Sequence, residues 1–582
     1  MTTNVPPLSR GSRWQTARRW LLGGVVALAV LVHLPALWAP FMLDDYAQAS
    51  MAEGKFGPAR SPFNLYDYID DADRPGLFEH GAIPWWTHPR LVVRFFRPLS
   101  SALVWLDHQA FGRHAVWQHL HSLLWWAVAT LGVHTLLRRS FPRRAAFFGT
   151  LAFALAPCHA VPLVWLANRE ALVSTALGTW ALVAYASWRE GRRGKDGLAS
   201  LALFSLAVLA GEYTLCFAGY VLAIELVRRE RFGRRLLGLS TFAAPAAAYV
   251  VAHVLLHYDA HGSGFYRNPL HDFGAYALGA PRRLAILSGA AWLGTDDSWT
   301  ASSWWQLSLL GAGTLAILAL VVWRVIRGLG DDERRRALWM LLGSVFSLAP
   351  VLSVEASARL LGVAMVGASG VVGVVLDRAW FPPSPEPRRG LAELTALVAL
   401  ALAFAHYVRA PFDTLAVMRA SSRGARAYAE RIGWVHDHVQ RGRSTIFVVR
   451  ANSPETTLWA PSVLGDAAPD RWRVLSVGSG RSLLLRTGPR TLELVASERP
   501  LFNVGPDDLF RNLDELMVGD TVDVPGMRAT VLQIDERQMP RRLRFELDRD
   551  VEDPSLEWIA EGDSGFRQEP PPPVGYGAPI VP

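Results

Sequence analysis

Two adjacent carboxylates, Asp44 and Asp45, stand in the segment Phe41-Met42-Leu43-Asp44-Asp45-Tyr46, directly after a long apolar run. Placing acids at such a boundary costs solvation unless they are exposed or engaged. The pair reads either as a solvated loop start or as a candidate base able to take a proton from a hydroxyl. His108, His119 and His121 invite a metal reading, but a helix puts residues i and i+2 on different faces, so His119 and His121 do not readily share an ion. Interfacial or core-satisfied histidines are the plainer reading. Cys158 and Cys216 sit in or beside apolar segments, which supports neither a disulfide framework nor a thiolate metal site. No Walker or Rossmann glycine pattern follows a strand, which argues against a transferase that binds sugar nucleotides in the cytosol.

The elements that must position these residues are membrane spans. The chain has 582 residues, 51% of them hydrophobic, and they cluster into runs instead of scattering with helical or strand period. Residues 20–38 supply a first span of the roughly 20 apolar residues that a bilayer needs. Further runs at 115–137, 145–166, 169–188, 197–211, 213–227, 236–257, 303–325, 337–353, 359–377 and 391–408 bring the expectation to about eleven spans. The net charge of +8 does not point to nucleic acid, because most clustered arginines lie in short segments between apolar runs and therefore report topology. Counting alternate loops puts Arg138, Arg139, Arg189, Arg192, Arg228, Arg229, Arg335 and Arg336 on the side of the basic N-terminus. That predicts a cytoplasmic N-terminus (1–19), outer loops at 39–114 and 258–302, and an outer C-terminal domain.

Both outer loops are rich in Trp, Tyr, Phe and Pro, which suits amphipathic helices in the membrane interface. One is expected over 97–111, with Leu99, Leu103, Leu106 and Ala110 on its apolar face. Beyond Arg409, alternating runs at 445–450, 473–477, 482–486, 492–495, 530–534 and 543–547 predict short strands. The fold class is therefore mostly α: a polytopic transmembrane helical bundle (20–409) with a soluble β-rich domain (410–565) and a disordered Pro-rich tail (566–582).

The order Asp44-Asp45, Phe96-Arg97-Pro98-Leu99, Leu106-Asp107-His108, Trp117-Gln118-His119-Leu120-His121, Ala156-Pro157-Cys158-His159 and Ala167-Asn168-Arg169-Glu170 resembles the GT-C-type membrane glycosyltransferases. The branch is the one that includes the O-mannosyltransferases with tetratricopeptide repeats and bacterial relatives. The resemblance covers roughly 20–409 and implies an inverting transfer of sugar from a polyprenyl-phosphate donor to an extracytoplasmic glycan, lipid or protein acceptor. It places the catalytic carboxylate at Asp44 or Asp45. A departing phosphate needs positive charge, for which Arg97, Arg169 and Arg359 are the candidates, with His88 and His159 secondary; arginines at span boundaries also serve as headgroup anchors. Glu170, Glu212 and His159 are expected to position donor or acceptor, although Gly211 replaces the lysine that relatives commonly carry before Glu212. No cofactor is required by this reading; a divalent metal, used by some members of the wider superfamily, is not indicated. The alanine, glycine and arginine bias with little lysine suggests a bacterial inner-membrane protein. A multi-span transporter, or a non-catalytic membrane protein with a periplasmic binding domain, are the alternatives.

Overall fold

The computed structural model describes residues 27–581 apart from 192, 264, 267–268, 270–272, 295–303, 383–388, 439–444, 453–455, 458, 503–508, 512–514 and 563–564. The predicted cytoplasmic N-terminus, the start of the first apolar run and most of the 381–387 linker lie outside the described residues.

Among the described residues, five helices are long and apolar enough to cross a membrane: Ala115–Ser140, Leu166–Arg189, Phe232–Leu255, Asp331–Ser353 and Ala392–His438. The bent pair Arg143–Ala154 and Pro157–Val164 makes a sixth if it is one span. The chain is a multi-pass membrane protein; the expected count of about eleven spans is not confirmed among the described residues. Several predicted runs form shorter helices, among them Gly194–Val208 and Ala218–Val227. The helix Ala364–Trp380 is buried along nearly its whole length. Its glycines permit that: a Cβ on Gly373 would lie 2.2 Å from the Ala145 carbonyl oxygen, so only glycine lets the two helices approach this closely. Inside the predicted outer loop 258–302, the helix Phe273–Leu293 packs Leu287, Ala291 and Trp292 into the core of the bundle.

A three-stranded sheet stitches the segments 39–114 and 258–302 together. Its strands are β1 (Asp67–Ile69), β2 (Val92–Arg94) and β3 (Asp259–His261), with β2 in the middle. The C-terminal region adds β4 (Thr445–Val448), β5 (Arg471–Val474), β6 (Ser482–Gly488), β7 (Thr491–Ala496), β8 (Thr521–Val524), β9 (Met527–Ile534), β10 (Pro540–Leu547), β11 (Leu556–Gly562), β12 (Gly565–Gln568) and β13 (Gly577–Ile580). One sheet runs β13-β6-β7-β10-β9-β8 and is antiparallel throughout. The other runs β12-β11-β4-β5, with β4 parallel to both neighbours.

The structure differs from the sequence reading in three places here. The Pro-rich tail is ordered, because β13 pairs with β6 from Gly577↔Leu485 to Ile580↔Ser482 and Arg450 grips the Val581 carbonyl at 2.9 Å. Proline is tolerated there because β13 is an edge strand, where a missing N–H breaks no inner ladder. Several aromatic residues of 39–114 are core residues and not interfacial ones: Tyr66, Trp85 and Trp86 are buried in one hydrophobic core with Phe447, Trp472, Phe502 and Phe545 of the C-terminal region. Composition did not separate an interfacial aromatic from a core one. Third, the helix Pro98–Phe111 forms as expected, but its packed face is Ser100, Ser101, Val104 and Asp107, while Leu106 is exposed. The Ser100 hydroxyl donates to the Ala210 carbonyl and the Ser101 hydroxyl accepts the Leu65 N–H, so buried hydrogen bonds hold that face in place.

Candidate active site

A cavity of about 610 Å³ opens between the segments 39–114 and 258–302 and the adjoining ends of the bundle helices. Asp44, Arg97, Glu170, Glu212 and Arg359 all line it, with Tyr66, Tyr68, Trp165, Tyr249 and Tyr266 between them. Its far side is apolar, formed by Leu215, Val250, Val351, Val354 and Leu360. Five of the nine candidate residues from the sequence therefore converge on one space. Asp45, Arg169, His88 and His159 do not line it.

The two adjacent acids part company at the start of the helix Asp44–Ala52. Leu43 before them holds φ 47° and ψ −121°, a backbone conformation that a branched side chain adopts only under strain. Asp45 turns inward, where its carboxylate accepts the Ala167 N–H at 2.7 Å and the Met42 N–H at 3.0 Å. It ties the acidic turn to the segment that leads into Glu170. Burial raises its pKa to about 7 against the opposing pull of those N–H donors.

Asp44 faces the cavity, and the indole N–H of Trp459 donates to its Oδ1 at 2.9 Å. Trp459 comes from the C-terminal region, also at a positive φ of 61°, and packs against Tyr68 and Phe56. Burial raises the Asp44 pKa above the ordinary carboxylate value, moderated by the indole bond and by the charges of Arg97 and Arg359. Burial likewise pushes Tyr66 and Tyr68 up and Tyr266 to about 12, so these phenols remain protonated donors.

The arginines also divide. Arg97 grips Glu212 through Nε (3.1 Å) and Nη2, reaches Glu170 at 3.4 Å, and stacks over Phe95 and Tyr66. Its charge is neutralised within the protein, and its work is to fix the two glutamates. Glu170 is further held by the Asn168 side-chain amide at 3.1 Å. Arg169 is buried and bound to Asp107, the Ser122 hydroxyl and the Gln118 carbonyl. Asp107 in turn receives His121 at 2.8 Å. Burial would raise Asp107, but His121 and Arg169 hold it below the usual carboxylate range. Arg169 is thus a cross-brace between the helices Pro98–Phe111 and Ala115–Ser140 and the start of the Leu166–Arg189 span. Arg359 lies over the Trp165 ring, 5.6 Å from its centroid, and forms no hydrogen bond or ion pair among the described residues. It is a cation facing the cavity with donors to offer.

His159 bonds the Phe153 carbonyl oxygen at 2.9 Å, and His119 bonds that of Leu163 at 2.9 Å through Nδ1 while its Nε2 is buried without a partner among the described residues. Three outer carboxylates, Asp67, Asp70 and Asp73, come close enough to share an ion. Arg94 and Arg60 already pair with them and offset two of the three negative charges. Sequence reasoning missed Trp459, Trp165 and the cavity tyrosines Tyr66, Tyr68, Tyr249 and Tyr266. For Trp459 the sequence held no signal, since it lies 415 positions from Asp44.

No protein-family model matches the chain, and no curated protein matches it. Among solved structures, the chain is similar to ArnT from Cupriavidus metallidurans bound to undecaprenyl phosphate, at 14% identity and a TM-score of 0.40 over 78% of this chain and 90% of that one. It is also similar to the archaeal oligosaccharyltransferase AglB from Archaeoglobus fulgidus in complex with an inhibitory peptide and a dolichol-phosphate, at 13% identity and a TM-score of 0.42 over 78% and 64%. A third is arabinosyltransferase EmbB from Mycobacterium smegmatis, at 14% identity and a TM-score of 0.35 over 90% and 48%. Likeness at this level assigns neither an activity nor a residue's role, which rest on the cavity itself.

Proposed function

We propose that this chain is a membrane glycosyltransferase that moves a sugar from a polyprenyl-phosphate donor to an acceptor hydroxyl on the outer side of the membrane, with Asp44 as the general base. The observation that carries the reading is the pairing, in one cavity, of a carboxylate with a raised pKa and a cation lacking any carboxylate partner among the described residues, Asp44 and Arg359. In the reaction, the acceptor oxygen attacks the anomeric carbon as its proton passes to Asp44. The bond between that carbon and the phosphate oxygen breaks, and the bonding pair leaves with the phosphate, whose charge Arg359 receives. Displacement from the opposite face inverts the anomeric centre and needs no enzymic nucleophile.

The indole bond leaves the second oxygen of Asp44 open to a proton. The apolar far wall fits the isoprenoid end of the donor, and Tyr66, Tyr68 and Tyr266 offer hydroxyls and ring faces to a sugar. Arg97, Glu170 and Glu212 shape the floor; in this reading they position donor or acceptor without meeting the phosphate. Asp45 and Arg169, two further candidates from the sequence, serve as scaffold. A transporter would need a path through the bundle, whereas Phe217, Tyr220 and Met340 beneath the cavity are fully buried, which favours a site served from one side.

The test is transfer by purified protein from a panel of polyprenyl-phosphate sugars. Wild type is expected to transfer one of them and Asp44→Asn to lose about 10²–10⁴-fold in rate. Full transfer by Asp44→Asn would remove Asp44 as the base, and no transfer by wild type across the panel would favour the transporter.

A further inference from the structure

At the end of the bundle away from the outer cavity there is a second, smaller cavity of about 170 Å³, lined by Arg139, Arg189, Arg228, Arg335, Arg336 and Trp339 among others. One of the helices that build it also reaches the first cavity: Glu170 opens the helix Glu170–Arg189 at one end and Arg189 closes it at the other, 20 residues in all. That is about 30 Å of helix, the thickness of a bilayer core. The two cavities therefore face opposite membrane surfaces, and the arginine bias assigns the second to the cytoplasm.

Most of its arginines are matched. Arg189 pairs with Glu225 at 2.8 Å and Glu230 at 2.7 Å, Arg228 with Glu230, Arg335 with Asp332, and Arg336 with Glu190 at 3.3 Å. Arg139 is the exception. It reaches only the neutral Ser187 hydroxyl and the Val183 carbonyl, and no carboxylate pairs with it among the described residues. Arg228 Nε is also buried with no acceptor among them. An unmatched guanidinium and a buried donor without an acceptor in one cavity are features that a phosphate would complete, because its oxygens accept several charge-assisted hydrogen bonds. The remaining wall is apolar, with Leu136, Ile224 and Val227, which suits the glycerol and first methylenes of a lipid better than a free ion.

We infer that this cavity binds the phosphate of an anionic phospholipid headgroup at the membrane face opposite the candidate active site. Basic pockets between spans on a cytoplasmic surface hold such headgroups by combining charge with contact to the first part of the chains. The site would anchor the ends of four helices, one of which, Glu170–Arg189, opens at the candidate active-site cavity. It does not depend on the proposed reaction.

The test uses the full chain in neutral detergent, titrated separately with phosphatidylglycerol, with phosphatidylcholine of the same acyl chains, and with inorganic phosphate. Lipid adducts are read by native mass spectrometry and phosphate by thermal melting. Phosphatidylglycerol is expected to be retained over phosphatidylcholine, with affinity about 10-fold weaker in Arg139→Gln and partly recovered in Arg139→Lys. The control Arg334→Gln, an exposed arginine paired with Asp331, should leave retention unchanged. A melting shift with inorganic phosphate that Arg139→Gln abolishes, without lipid selectivity, would assign the same phosphate chemistry to a free ion. Equal retention of the two lipids by wild type with no phosphate response overturns the proposal without recourse to any variant, and so does an equal loss in Arg334→Gln.

Discussion

Asp44 and Asp45 are neighbours with different environments, and the difference predicts opposite consequences for their substitution. Asp44→Asn keeps shape and volume in a cavity wall, so transfer should collapse while the melting temperature stays within about a degree of wild type. Asp45→Ala orphans the N–H groups of Ala167 and Met42, at about 1–3 kcal/mol for each buried donor left unpaired. Its melting temperature should fall before activity is even considered, as calorimetry would show. A base must be ionised to act, and burial raises the Asp44 pKa. Activity should therefore be lost on the acid side through a limb lying above the ordinary carboxylate range, and recover as pH rises. The Trp459 indole stabilises the charged form, so Trp459→Phe should move that limb to higher pH while keeping the ring in place. A limb that stays put in the variant would show that the indole bond does not tune the base. At Arg359, replacement by lysine should raise KM for the lipid donor more than it lowers kcat, since the ammonium cannot grip phosphate with two parallel donors.

At the scale of elements, the acidic pair depends on two strained turns. Leu43 and Trp459 both hold positive φ, and each adjoins or makes the Asp44–Trp459 bond. Residues in such conformations cost on the order of 1–3 kcal/mol and persist only where their surroundings over-determine them; here the surroundings are the aromatic contacts of Trp459 and the two N–H bonds of Asp45. Arg169 braces three elements through Asp107, Ser122 and Gln118, and Arg169→Ala would leave Asp107 buried without its cation. The expected loss is about 3–5 kcal/mol of stability, visible as reduced yield and a lower melting temperature without selective damage to donor binding. The sequence had placed Arg169 among phosphate ligands because span-end arginines look alike until their partners are known. It located the helix over 97–111 and most inner strands correctly, because those rest on local period. It misjudged which helix face packs, since Ser100, Ser101 and Asp107 are buried through hydrogen bonds that hydropathy does not register.

For the whole molecule, the boundary drawn at residue 409 from composition dissolves in three dimensions. The first outer loop and the C-terminal sheets share one core, so neither is expected to fold as an isolated piece. Expressing 410–582 alone should give aggregated protein, with Phe447, Trp472 and Phe502 deprived of their loop partners; a soluble, cooperatively melting fragment would contradict the shared core. The sequence could not reveal this union, because strand pattern reports which residues face inward and is silent on which chain segment meets them. The last span gives the union its geometry. From Ala392 to His438 the chain is helical for 47 residues, about 70 Å at 1.5 Å per residue, with a π-helical turn at Phe404–Arg409 and no loop. More than half of that length exceeds the bilayer core and ends against β12 and the Trp459 segment. The mast therefore fixes how far from the membrane the Trp459 segment meets Asp44, through a continuous rod and not a hinge.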